Sequence, residues 1–136
     1  MSTDALQQYG QPLADNLVLW TATRKQDVDQ ILFNQSIPQN ISGGNHVALR
    51  RDTPSAADRA TWYNDTEKHD LVLIKITFTW KAIGYFMVAK PLLWPLETDM
   101  IRWRFYGDIP FEVRCPTTNE VMISVDTQFQ DCVHQS

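Results

Sequence analysis

The run LVLIKITFTW, residues 71–80, admits few architectures. Read with the period of two that a strand imposes, Val72, Ile74, Ile76, Phe78 and Trp80 fall on one wholly apolar face. Leu71, Leu73, Lys75, Thr77 and Thr79 fall on the other, which turns polar half-way along. Such a strand needs a core on one side and solvent or a cleft on the other, the habit of an antiparallel sheet. A second alternating stretch, MIRWRFY (100–106), sets Ile101, Trp103 and Phe105 against Arg102, Arg104 and Tyr106. NLVLWTAT (16–23) reads as a buried strand, HVAL (46–49) as a short one, and 111–115 with 121–125 as a hairpin around PTTNE.

Two helices are expected beside these strands. Thr23, with Gln26 three residues on, matches a capping box, and Val28, Ile31 and Leu32 then share a face, so the spacing predicts a helix over 24–34. Thr53-Pro54 supplies a cap and a favoured first helical residue, and Ala56, Ala60 and Tyr63 recur at helical spacing, which predicts a second helix over 54–64. The segment KAIGYFMVAKPLLWPLETD (81–99) is apolar, is interrupted by Pro91 and Pro95, and follows neither period. The order strand, helix, strand, helix and then strands only implies an α+β fold: a single compact domain with two N-terminal helices on a mostly antiparallel, bent or split sheet. The expected organisation is an N-terminal arm over 1–15, the domain over 16–126 and a tail over 127–136.

Composition narrows the function classes. A chain of 136 residues with 43% hydrophobic residues can build one core. Twelve Lys and Arg against 16 Asp and Glu give a formal charge of −4, which argues against bulk nucleic-acid binding. Arg102 and Arg104 alternate with Trp103 and Phe105, so on a strand the rings point away from the guanidinium groups. A base-stacking platform needs both on one face, and no nucleic-acid partner is expected. No apolar run approaches the roughly 20 residues that cross a bilayer, and the start MSTDALQQYGQPLADN has no basic and apolar leader pattern. No membrane partner and a cytoplasmic location are therefore expected. Cys115 and Cys132 fit no metal spacing, so reduced thiols and no metal are expected, and the sequons at Asn34, Asn40 and Asn64 are expected to go unused.

No phosphate loop, paired-histidine metal motif or nucleophile elbow is present in the sequence. Three kinds of residue remain as candidates. His46 follows Gly43-Gly44, where the backbone can bend and admit a ligand, and can serve as pocket donor or general base. Glu112, between Phe111 and Val113, can stabilise a developing cation or orient a sugar hydroxyl, or else pair with Arg102, Arg104 or Arg114. Arg50 and Arg51 can hold a phosphate or carboxylate through their planar guanidinium groups.

The succession NLVLWTATRKQDVDQILFNQSIP, GGNHVAL and DTPSAADRATWY, over residues 16–65, resembles the amino-terminal half of ADP-ribosyltransferase-like domains. The resemblance implies a cleft between two small sheets that binds NAD as substrate and transfers ADP-ribose. Trp20 or Thr21 would stand where the family's first-strand His or Arg meets the adenosine ribose. His46 would stand where a Tyr or Ser lines the nicotinamide pocket, and Glu112 would be the catalytic Glu. Trp62 and Tyr63 would buttress the pocket, and a small-molecule ligand or a target protein would be the partner. Two other readings come from the residues alone. One is a non-catalytic interaction module whose 81–96 segment, with Tyr85, Phe86, Met87, Leu92, Leu93 and Trp94, forms a contact patch or homodimer interface. The other is a small biosynthetic enzyme acting on an apolar metabolite in an aromatic pocket.

Overall fold

The computed structural model describes residues 16–39, 45–54 and 71–131. Their fold is α+β, a curled antiparallel sheet with helices on one side. The strands are β1 (Leu17–Arg24), β2 (Ser36–Ile37), β3 (Val47–Arg50), β4 (Leu71–Phe78), β5 (Leu93–Pro95), β6 (Arg102–Phe105), β7 (Ile109–Pro110), β8 (Glu112–Arg114), β9 (Val121–Val125) and β10 (Gln130–Asp131). The main sheet runs β5-β6-β3-β1-β4-β9-β8, and β2 pairs β7 separately. β1 and β4 form its centre, paired over all eight residues from Leu17↔Phe78 to Arg24↔Leu71. The other edge of β4 is shared: β9 takes Ile76–Phe78 and β10 takes Val72 and Leu73. Pairing thus continues past the expected limit at 126.

The period-two reading of β4 holds for Val72, Ile74, Ile76 and Phe78, all buried. Register carries this inner face across the sheet. Leu17 and Leu19 join it from β1, Val47 and Leu49 from β3, Trp103 and Phe105 from β6, Leu93 from β5, and Ile123 and Val125 from β9. Trp103 is the largest fully buried side chain among the described residues, and its indole N–H donates to the Met100 carbonyl at 2.7 Å.

Trp80 leaves this face. The strand stops at Phe78 because Thr79 turns into a helix cap, its hydroxyl accepting from the Ala82 N–H at 3.3 Å. The helix that follows explains why 81–99 shows no simple period: Trp80–Gly84 is α-helical, Tyr85–Ala89 widens into a π-turn, and Pro91 prevents continuation. Ala82, Ile83, Phe86 and Met87 face the sheet and are buried. Of the residues expected in a contact patch over 81–96, Phe86, Met87 and Leu93 are enclosed in the core, Tyr85 and Leu92 are half-buried, and Trp94 is exposed, as are Val88 and Leu96.

The first helix also departs from expectation. Pairing with Leu71 keeps the chain in strand through Arg24, a 3₁₀ turn occupies Lys25–Asp27, and the helix α1 is only Val28–Asn34. Thr23 caps nothing and lies buried in β1. Of the expected apolar stripe, Ile31 is buried and Leu32 is exposed, and Gln35 ends the helix in a left-handed conformation with φ 51°. Most of the expected 54–64 helix, including Trp62 and Tyr63, lies outside the described residues.

Candidate functional site

Alternation sends the residues between the core positions to the outer face of the same sheet, and strand pairing aligns them. Trp94 lies directly opposite Arg104, which also faces Ala48. Arg102 faces Arg50, Arg50 faces Trp20, and Trp20 faces Lys75. One side of four adjacent strands therefore carries the row Arg102, Arg50, Trp20 and Lys75, with Arg104 and Trp94 beside it. Continuing the β3–β6 register one step brings His46 opposite Tyr106, and their rings lie 5.7 Å apart. The Arg104 guanidinium donates to the Tyr106 hydroxyl at 3.4 Å.

Neighbours on one strand cannot form a stacking platform with these arginines. Trp103 and Phe105 do point away from Arg102 and Arg104, into the core. The rings on the arginine side, Trp20 and Trp94, come from other strands. Cross-strand partners share a face whereas consecutive residues do not.

Exposure and charge vary along this face. Trp94 is 42% exposed, while Ala22 and Leu73 on the same side are buried. Arg50 pairs with Asp52 at 2.7 Å, and Arg102 pairs with Glu97. Among the described residues, neither Arg104 nor Lys75 has a carboxylate partner. Burial, and then the positive charge of Arg104, hold the His46 imidazole below its ordinary value of 6.5. His46 is thus neutral near pH 7, with one ring nitrogen donating and the other accepting.

The remaining predicted residues lie elsewhere. Glu112 is exposed on the edge strand β8, faces Ser124, and binds Arg114 two residues along its own strand at 3.2 Å. Between β3 and β8 stand β1, β4 and β9, so His46 and Glu112 are separated by four strand steps, about 19 Å along the sheet at ~4.8 Å each. Thr21 points inward and is fully buried, its hydroxyl unpartnered like that of Thr23. Arg51 is exposed just past β3, where its backbone N–H donates to the Ile101 carbonyl at 2.9 Å.

Two further features lie off this face. A cleft of about 400 Å³ beside α1 is lined by Lys25, Val28, Asp29, Leu32, Val72, Thr127 and Phe129. At the β8–β9 turn, the hydroxyl of Thr117 and then groups of Thr118 hydrogen-bond the Cys115 thiol and lower its pKa to about 6. No group of three or more His, Cys, Asp or Glu that could hold a metal occurs among the described residues. No helix among them is long and apolar enough to cross a membrane. Comparison with known proteins finds no family model, no curated protein and no solved structure that matches the chain.

Proposed function

We propose that this chain is a ligand-binding domain that takes a nucleotide-class ligand, a planar ring bearing an anionic group, on the outer face of β3, β5 and β6. The observation that supports the reading is the meeting of exposed Trp94 with half-buried Arg104, Tyr106 and His46 at neighbouring positions of one sheet face. Trp94 offers a stacking surface, and Arg104, without a carboxylate of its own, offers a guanidinium to a phosphate oxygen. Tyr106 and His46 supply hydroxyl and imidazole groups for the polar edge of the ring or a sugar hydroxyl. NAD falls within this ligand class and is one probe of it. His46 and Glu112 do not share one pocket for the transfer of ADP-ribose, because β1, β4 and β9 lie between β3, which His46 precedes, and β8, which carries Glu112.

Calorimetric titration with AMP tests the reading. Saturable binding is expected, weakened about tenfold or more by Trp94→Ala and by Arg104→Gln, the scale of losing a stacking partner or a charge-assisted hydrogen bond. Glu112→Gln, on the far edge of the sheet, is expected to bind as the parent does. Absence of binding at millimolar AMP, or loss of binding in Glu112→Gln alone, would overturn it.

A further inference from the structure

The outer face is longer than one nucleotide. Trp94 on β5 and Trp20 on β1 are three strand steps apart and displaced by two residues along β6, since Trp94 faces Arg104 while Trp20 faces Arg50 and, through it, Arg102. At ~4.8 Å per strand step and ~3.4 Å per residue the separation is about 16 Å. One base cannot stack on both rings. Stacked bases rise about 3.4 Å each, so the span corresponds to about five steps of a stacked strand and fewer of an extended one. Between the rings lie guanidinium groups, Arg104 and Arg102 nearer Trp94 and Arg50 beside Trp20, and Lys75 continues the row beyond Trp20.

We infer that this face binds a single strand of nucleic acid, one base stacking on Trp94, another on the half-buried Trp20, with the backbone passing Arg104 between the rings and Lys75 beyond Trp20. The inference rests on the nucleotide-class reading of the same face and extends it from one unit to a strand. A single strand fits better than a duplex, because its bases are free to leave their neighbours and lie on aromatic rings. The chain's net charge of −4 does not forbid this. Solvent-exposed charges act over a screening length of about 8–10 Å, so a phosphate on this face responds to the residues beneath it rather than to the whole chain. Arg50 and Arg102 already hold Asp52 and Glu97, which leaves Arg104 and Lys75 as the cations without carboxylate partners among the described residues. Two neutralised phosphates give a shallow salt dependence, a slope of log K on log salt of about −1.4 for a single strand.

The test is fluorescence titration of the full chain with oligothymidylates about one to eight residues long, and with a hairpin duplex, at several salt concentrations. Affinity is expected to climb steeply from one residue to about five and then level off, with the duplex weaker than the single strand at every salt concentration. Trp20→Ala and Trp94→Ala are each expected to flatten the length dependence, while Trp80→Ala, which removes an exposed ring on the other side of the sheet, leaves it intact. Mononucleotide and longer strands binding equally would overturn the strand inference and leave the nucleotide-class reading standing. No binding of any length would overturn both. Equal binding of duplex and single strand, or a length dependence that survives both tryptophan substitutions, would show phosphate attraction without stacking and would overturn the strand inference alone.

Discussion

Trp103 and Trp94 lie on neighbouring strands of one sheet, and opposite faces give them opposite roles. Trp103 is fully buried, with its indole N–H satisfied by the Met100 carbonyl. Trp94 is 42% exposed and stands across from Arg104. The contrast extends through both faces. The inner side is apolar from Leu93 through Val47, Leu19 and Ile76 to Val125, while the outer side carries Arg104, Arg102, Arg50, Trp20 and Lys75. Tryptophan is thus enclosed on one side and left partly or largely open on the other, and the parity of the strand position decides which.

The largest expected effect separates the two tryptophans. Trp103→Ala removes a filled volume and leaves the Met100 carbonyl without its donor, and is expected to cost about 3–5 kcal/mol in chemical denaturation. Trp94→Ala is expected to change stability by no more than about 0.5 kcal/mol. Comparable losses from both would erase the division between faces.

The inner face has one flaw that can be used to sharpen the comparison. Thr21 and Thr23 are fully buried with unpartnered hydroxyls. Thr23→Val keeps the shape and removes a desolvated polar group, so a gain of about 1–2 kcal/mol is expected in the same assay. A loss would mean that the hydroxyl has a partner in solution. Smaller again is Thr79→Ala, expected to cost about 1 kcal/mol because the turn from β4 into the following helix loses its cap.

The smallest effect belongs to the outer face. His46 is held below 6.5 by burial and by Arg104, so on acidification the unfolded chain takes up this proton before the folded one does. The associated stability is whole above pH 6.5 and is lost as pH falls through the window between 6.5 and the lower folded value. His46→Gln is expected to flatten that part of the stability–pH curve, and Arg104→Gln to flatten it partly. An unchanged curve in His46→Gln would remove the imidazole from the account.

What could be read from the sequence was what strand periodicity encodes locally. Val72, Ile74, Ile76 and Phe78 on one side of β4, and Trp103 and Phe105 on one side of β6, follow from alternation alone. The end of β1 did not, because pairing of Arg24 with Leu71 keeps the chain extended past a good capping residue. The 81–93 segment did not, because its helix widens into a π-turn before the chain returns to the sheet at Leu93. The candidate site was readable only in fragments. His46, Trp20 and Arg50 can be picked out singly, but register alone makes Trp20 a neighbour of both Arg50 and Lys75, and Trp94 a neighbour of Arg104. Glu112 stands out in the sequence by its strand position alone, and its carboxylate is taken by Arg114 at the far edge.

The most direct test of the outer face as the binding surface is a proton–nitrogen correlation spectrum of the indole N–H groups during titration with AMP. The account predicts that the Trp94 signal moves progressively and saturably, with a smaller shift at Trp20, while Trp103 in the core and Trp80 on the helix side stay in place. Movement of Trp80 or Trp103 with Trp94 and Trp20 unmoved would place the ligand on the other side of the sheet and contradict the account.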